Sequence, residues 1–175
     1  MRYVAFLRGI NVSGQKLIKM DALKQHFEIP AFKNIVTYIQ SGNILFDTKK
    51  TDEAILRRKI EQQLFLRLGY DVPAIVRSID NIKSVIANNP FNNLAPDDER
   101  NVYVSFLSSI PDEALIPSLN AFKNAEEELR IIDREGYLLV KSYGNTKLSN
   151  ALIEKKLKVT ATTRNWATIN KMLEL

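Results

Sequence analysis

The sequence contains no cysteine and a single histidine, His26, in 175 residues. Disulfides, thiolate nucleophiles and cysteine-based zinc sites are therefore excluded, as is any mechanism that needs two imidazoles. A metal would have to be held by carboxylates, and no Asp/Glu set has ligand-like spacing. The densest acidic runs, Asp97-Asp98-Glu99 and Glu126-Glu127-Glu128, precede expected strands and read as solvated loops. No segment approaches the roughly 18 consecutive apolar residues that span a bilayer. The opening Met1-Arg2-Tyr3-Val4-Ala5-Phe6-Leu7-Arg8 is charged too soon for a signal peptide. These absences lead us to expect a soluble, cytoplasmic protein with no membrane partner.

What is present is an ordinary globular composition, 45% hydrophobic and 26% charged, with a formal charge of +5. The basic excess is spread over Lys49-Lys50, Arg57-Arg58-Lys59 and Lys155-Lys156. It permits a nucleic-acid partner without indicating one.

The most informative feature is internal similarity. Tyr3-Val4-Ala5-Phe6-Leu7 recurs as Tyr103-Val104-Ser105-Phe106-Leu107, with only Ala5 exchanged. After the first copy, Met20, Leu23 and Phe27 have helical spacing. Strands are expected at Ile35–Gln40 and Asn43–Phe46 around a Ser41-Gly42 turn. A helix from about Asp52 carries Leu56, Ile60 and Leu64, and a strand at Ala74–Arg77 closes the half. After the second copy come a helix opened by Pro111 and interrupted at Pro117, then a hairpin of Leu129–Ile132 and Tyr137–Lys141 turning at Arg134-Glu135-Gly136. A helix Leu148–Leu157, an extended Val159–Ala161 and a final helix from about Arg164 complete the chain. A linking helix capped by Asp80 joins the halves.

The expected fold class is thus α+β: an internal duplication of two ferredoxin-like (βαββαβ) subdomains, the second with an extra C-terminal helix. The expected boundaries are residues 1–78 for the first subdomain, 79–100 for the linking helix and loop, and 101–175 for the second. In this unit the first and second strands run the same way, and the third lies beside the first. The loop Arg8-Gly9-Ile10-Asn11-Val12-Ser13-Gly14-Gln15-Lys16 should therefore share a sheet end with the turn Gln40-Ser41-Gly42-Asn43. Small residues let backbone N–H groups approach an anion, and Arg8, Lys16 and Lys19 supply charge. Two readings of Gly9, Gly14 and Gly42 stand here: backbone donors to a ligand, or positive φ in turns. The loop lacks the phosphate-binding Gly-x-x-x-x-Gly-Lys-Ser/Thr pattern.

A third segment, Thr162-Thr163-Arg164-Asn165-Trp166, reads as the capped start of the last helix, with Trp166, Ile169 and Leu173 as its apolar face. A helix N-terminus beside a guanidinium is a natural anion site, although capping and core packing account equally for the threonines and the tryptophan. Tyr143-Gly144-Asn145 reads as a turn, with Tyr143 a candidate ring to cover a ligand. His26 reads as a structural residue.

With these segments in view, the chain resembles the domain-of-unknown-function family 1697. The resemblance rests on Leu7-Arg8-Gly9-Ile10-Asn11-Val12-Ser13-Gly14, Lys19-Met20, Thr37-Tyr38-Ile39-Gln40-Ser41-Gly42-Asn43, and Thr162-Thr163-Arg164-Asn165-Trp166 with Thr168. Ser13 stands where the family usually has a second glycine. The resemblance implies paired ferredoxin-like subdomains and no activity, substrate or cofactor.

The leading functional expectation is a small anionic ligand, phosphorylated, carboxylated or nucleotide-like. Arg8 and Arg164 would pair with the anion, Gly14 and Gly42 would give backbone donors, and Asn11, Gln40 and Asn43 would orient it. Lys19, Ser41, Thr163 and Asn165 complete the candidate set. The loop Ser108-Ser109-Ile110-Pro111 of the second half lacks the Gly, Asn and Lys content of its counterpart, which assigns the site to the first half. One alternative is a single-stranded nucleic-acid module stacking bases on Tyr3, Phe6, Tyr38 and Phe46. Another is a non-catalytic interaction domain, monomeric or paired through an edge strand. The sequence names no catalytic residue and no cofactor.

Overall fold

Tyr3, Val4 and Phe6 are strong β-formers in a segment to Leu7 without a polar interruption, and the chain lays it down as a strand whose two faces are both buried. The computed structural model describes residues 1–11, 16–95 and 98–175. The chain divides into two compact units, one of Met1–Lys83 with Met172–Leu175 and one of Ser84–Lys171.

The first unit contains β1 (Arg2–Leu7), α1 (Met20–His26), β2 (Lys33–Tyr38), β3 (Asn43–Asp47), α2 (Glu53–Leu68) and β4 (Ala74–Ser78). Its sheet has the order β2-β3-β1-β4, with every neighbouring pair antiparallel. Tyr3, Ala5, Leu7, Ile44, Phe46, Ala74 and Val76 share a core with Leu23 and Phe27 of α1 and Leu56, Ile60 and Leu64 of α2. The i, i+4, i+8 spacing of the α2 leucines and isoleucine supplies that buried stripe. Asp52 caps α2 by accepting from the Ala54 and Ile55 N–H groups, and Gly69 ends it at φ +76°.

The linking helix α3 (Ile79–Ala87) starts two residues earlier than a cap at Asp80 would set. Its cap is Ser78, whose Oγ accepts from the Asn81 N–H at 3.1 Å, and not Asp80, which pairs with Lys83 at the surface. Serine and aspartate are near-equivalent caps, so the neighbouring strand decides which one holds that position.

The second unit contains β5 (Asn101–Leu107), a 3-10 helix (Glu113–Phe122), β6 (Glu128–Ile132), β7 (Glu135–Val140), a short 3-10 turn (Tyr143–Asn145), α4 (Asn150–Leu157), β8 (Ala161–Asn165) and α5 (Trp166–Lys171). The sheet order is β6-β7-β5-β8, again antiparallel throughout. The helix expected from Pro111 is a 3-10 helix capped by Asp112 and holding Pro117 inside. Proline has no N–H to donate, so a regular α-helical ladder cannot run through it. The hairpin turns at Asp133-Arg134, since Ile132 already pairs with Glu135, and Asp133 takes φ +51°.

The final helix is the largest correction. Thr162, Thr163 and Arg164 lie in β8, opposite Phe106, Ser105 and Val104. Two successive β-branched residues favour the extended chain over a helical first turn. The cap of α5 is Asn165, whose Oδ1 accepts from the Thr168 N–H at 2.8 Å. Thr168, Ile169 and Met172 are the buried residues here, while Trp166 is half-buried and Leu173 exposed.

The units agree in small details as well as element order. Leu7 donates its N–H to the Gly42 carbonyl and Arg8 to that of Pro73. Leu107 donates likewise to Arg134 and Ser108 to Thr160, all at 2.8–2.9 Å. The Glu61 carboxylate accepts from the Ala74 N–H, the first of β4, and the Glu154 carboxylate from the Ala161 N–H, the first of β8. Among the described residues, no helix is long and apolar enough to cross a membrane.

Candidate functional site

The loop that follows β1 begins clamped on both sides by the Leu7 and Arg8 backbone bonds, so its first residues leave the sheet end between the β2–β3 turn and the segment before β4. Gly9 takes φ +73° and Asn11 φ +52°, which turns the chain back over Ile10, itself buried. Asparagine tolerates this left-handed backbone better than most residues.

Asn11 joins the two loops. Its Nδ2 donates to the Gln40 carbonyl at 2.9 Å and to the Ile18 carbonyl at 3.0 Å, while its Oδ1 accepts from the Ile18 N–H at 2.7 Å. Both amide protons and the carbonyl oxygen are thereby engaged within the protein. Asn11 holds the two loops together and orients them.

Gly42 is also explained by close approach. A Cβ there would stand 2.6 Å from Ile10 Cδ1 and 3.0 Å from Leu7 Cβ, and its φ is +76°. Asn43 is fully buried, donating to the Tyr38 carbonyl and to Ser41 Oγ at 3.0 Å. It fastens the turn from within.

The remaining first-unit residues are disposed toward the surface. Arg8 is half-buried, and Lys19, Gln40 and Ser41 are exposed. Lys16, at φ +47°, donates from Nζ to the Asp71 carbonyl at 2.9 Å and lies 4.8 Å from the Tyr70 ring centroid. Gly14 lies outside the described residues. Ile39 adopts φ +48°, an uncommon conformation that costs a β-branched residue roughly 1–2 kcal/mol. The residue is 46% exposed and lies outside the first-unit core, so only part of it is packed to offset that strain.

Thr163, Arg164 and Asn165 belong to the second unit and are arranged differently from the expectation. Arg164 is buried in β8, donating from Nη1 to Thr162 Oγ1 at 2.8 Å and to the Thr163 carbonyl at 2.9 Å. Thr163 Oγ1 is the hub of a side-chain network. It donates to Asn150 Oδ1 at 2.6 Å and accepts from Tyr143 Oη at 3.2 Å, with Ser105 Oγ 2.7 Å away. Tyr143 also packs against Tyr103, with ring centroids 5.3 Å apart. Its hydroxyl and ring thus serve the unit's own packing. The helix-end anion site expected around Arg164 is absent from this arrangement, because Arg164 is a strand residue and Asn165 already occupies the cap.

The base-stacking alternative meets a similar obstacle. Tyr3, Phe6 and Phe46 are buried and Tyr38 is half-buried, so those rings do not form an open platform.

Elsewhere, a surface depression of about 330 Å³ is lined by Asp98, Glu99, Arg100, Glu126 and Lys141. Its charges are mutually paired, Arg100 with Asp98 at 2.7 Å and Lys141 with Glu126 at 3.4 Å. The Arg100 side chain, followed by its backbone N–H, holds the Asp98 carboxyl down at about 2. Among the described residues, no group of three or more His, Asp or Glu side chains is placed to hold a metal ion.

Sequence reasoning passed over Arg77, which is buried in β4 with Glu53 at 3.9 Å. The available signal was a charged residue directly after the apolar run Ala74-Ile75-Val76, within the same expected strand.

A family described as a protein of unknown function, DUF1697, matches residues 1–137, a span that includes the Arg8 loop and the Gln40–Asn43 turn. The chain belongs to this family. Among solved structures, this DUF1697 chain is similar to a conserved bacterial protein from Streptococcus pneumoniae, with 24% identity and a TM-score of 0.74. The match covers 97% of this chain and 95% of that one. That likeness concerns the fold. No curated protein matches.

Proposed function

We propose that the chain is a duplicated pair of ferredoxin-like subdomains, residues 1–78 and 101–175 joined through 79–100, whose first half binds a small anionic ligand. The ligand class is a phosphorylated or carboxylated small molecule. The duplication is supported by the common sheet order and by the matched clamps at Leu7–Arg8 and Leu107–Ser108.

One observation carries the binding reading. Asn11 ties the loop bearing Arg8, Lys16 and Lys19 to the turn bearing Gln40 and Ser41. Basic side chains and neutral polar groups are thereby carried on two loops tied together at Asn11, which reduces the ordering cost of binding. Arg8 supplies planar, paired donors to an oxyanion, Lys19 a second charge, and Gln40 and Ser41 neutral hydrogen bonds.

The test is calorimetric titration of the full chain with inorganic phosphate and with adenosine monophosphate at low ionic strength. Saturable binding that weakens at least roughly ten-fold in Arg8→Ala, with an unchanged circular dichroism spectrum, is expected. Equal affinity of wild type and Arg8→Ala, or no binding of either compound, would sink the reading.

A further inference from the structure

We infer that the ligand of this first-half site carries an apolar or aromatic body beside its anionic group. The inference rests on the anion-binding reading above and narrows its chemistry.

Two large apolar side chains stand exposed on the same pair of loops, Leu17 at 73% and Ile39 at 46%. Each immediately precedes a residue whose carbonyl is held by Asn11 Nδ2, Ile18 in one loop and Gln40 in the other. The two backbone positions that Asn11 joins are thus each preceded by an exposed apolar residue. Arg8, Lys16 and Lys19 lie on the first of these loops and in the residues leading into α1.

The backbone at Ile39 makes this placement informative. A left-handed φ of +48° suits glycine or asparagine and is least suited to a β-branched residue. Ile39 lies outside the first-unit core, and nearly half of it is exposed. Glycine would make the same turn without strain. An apolar side chain left half-exposed on a strained backbone is the pattern expected of a contact made to something else. Inorganic phosphate would leave Leu17 and Ile39 unused. An organic phosphate or carboxylate with an aromatic or aliphatic body would cover them and gain from their burial.

The experiment compares inorganic phosphate with phenyl phosphate, which share the anionic group and differ in the ring. Both are titrated into the full chain and into Ile39→Gly, Leu17→Ser and, as a control on α2, Leu66→Ser. Wild type is expected to prefer phenyl phosphate by roughly ten-fold, the size of effect that burying part of a ring produces. That preference should fall to within about three-fold in Ile39→Gly and Leu17→Ser and persist in Leu66→Ser. Ile39→Gly should also melt at a higher temperature than wild type, which shows that its loss of preference is not a loss of fold. Equal affinity of wild type for the two compounds overturns the inference and leaves the anion reading standing, as does a preference that survives both loop substitutions. Failure of both compounds to bind overturns both.

Discussion

Arg77 and Arg164 hold the same position in their two sheets. Arg77 lies in β4 opposite Val4, and Arg164 lies in β8 opposite Val104, the repeat of Val4. Both are buried, and each donates from Nη1 to the carbonyl of the residue just before it, at 3.0 Å and 2.9 Å. Arg77 also has Glu53 at 3.9 Å, and Arg164 also donates to the Thr162 hydroxyl at 2.8 Å. Arg164→Met should therefore lower the stability of the chain by about 2 kcal/mol, the size of a charged hydrogen bond. Arg77→Met should cost more, about 3 kcal/mol, because it removes a buried positive charge from beside the partly buried Glu53. Urea unfolding of both variants checks this. A variant as stable as wild type would show that the guanidinium is structurally idle.

The Thr163 hydroxyl offers a sharper case. It serves Ser105, Asn150 and Tyr143 together, so Thr163→Val keeps the shape and strands three polar partners. A loss of about 2–3 kcal/mol is expected, larger than for Tyr143→Phe, which removes a single peripheral bond. Thermal melts of both variants should rank them in that order.

Gly42→Ala should be among the most damaging small substitutions in the first unit. The added methyl meets Ile10 and Leu7 at 2.6–3.0 Å on a left-handed backbone. The combined clash and strain should cost at least about 2 kcal/mol. Gly9→Ala shares the positive φ, but its Cβ meets nothing within 4 Å, so it should cost about 1 kcal/mol. Equal melting temperatures for the two variants would contradict the close-packing account.

Acid should act through Asp98. Its carboxyl titrates at about 2 in the folded chain instead of 3.8, chiefly because Arg100 bonds its charged form. A depressed carboxylate contributes stability that is complete above the unfolded value and is lost as pH falls toward the folded one. Between about pH 4 and pH 2, wild type should therefore lose stability more steeply than Asp98→Asn, while the variant is the less stable of the two at pH 7. Denaturation profiles across that window test the sign.

The parts of the fold that were legible in the sequence are those set by local chemistry. Apolar β-formers in duplicate marked β1 and β5, and Asp52 with Leu56, Ile60 and Leu64 marked α2. The segment after α4 was misread because threonine is both a good cap and a good strand residue. The decision between them lies in the partner strand β5, far away in sequence. The same limit applies to the site. Asn11, Gly42 and Asn43 looked like ligand groups because a loop scaffold and a binding loop draw on the same residue types. Only distances separate them: Asn11 has its amide engaged and Gly42 has Ile10 against it. The strain at Ile39 left no mark in composition, since no residue type there announced a left-handed backbone.

The paired backbone clamps at the base of each post-β1 loop have a consequence for how such a chain can change over time. Leu7 and Arg8 are held from both sides whatever the loop beyond them contains, and Leu107 and Ser108 are held the same way around an unrelated sequence. The loop is thus a replaceable insert in a standard socket. Either loop can differ in sequence from the other without its sheet being rebuilt.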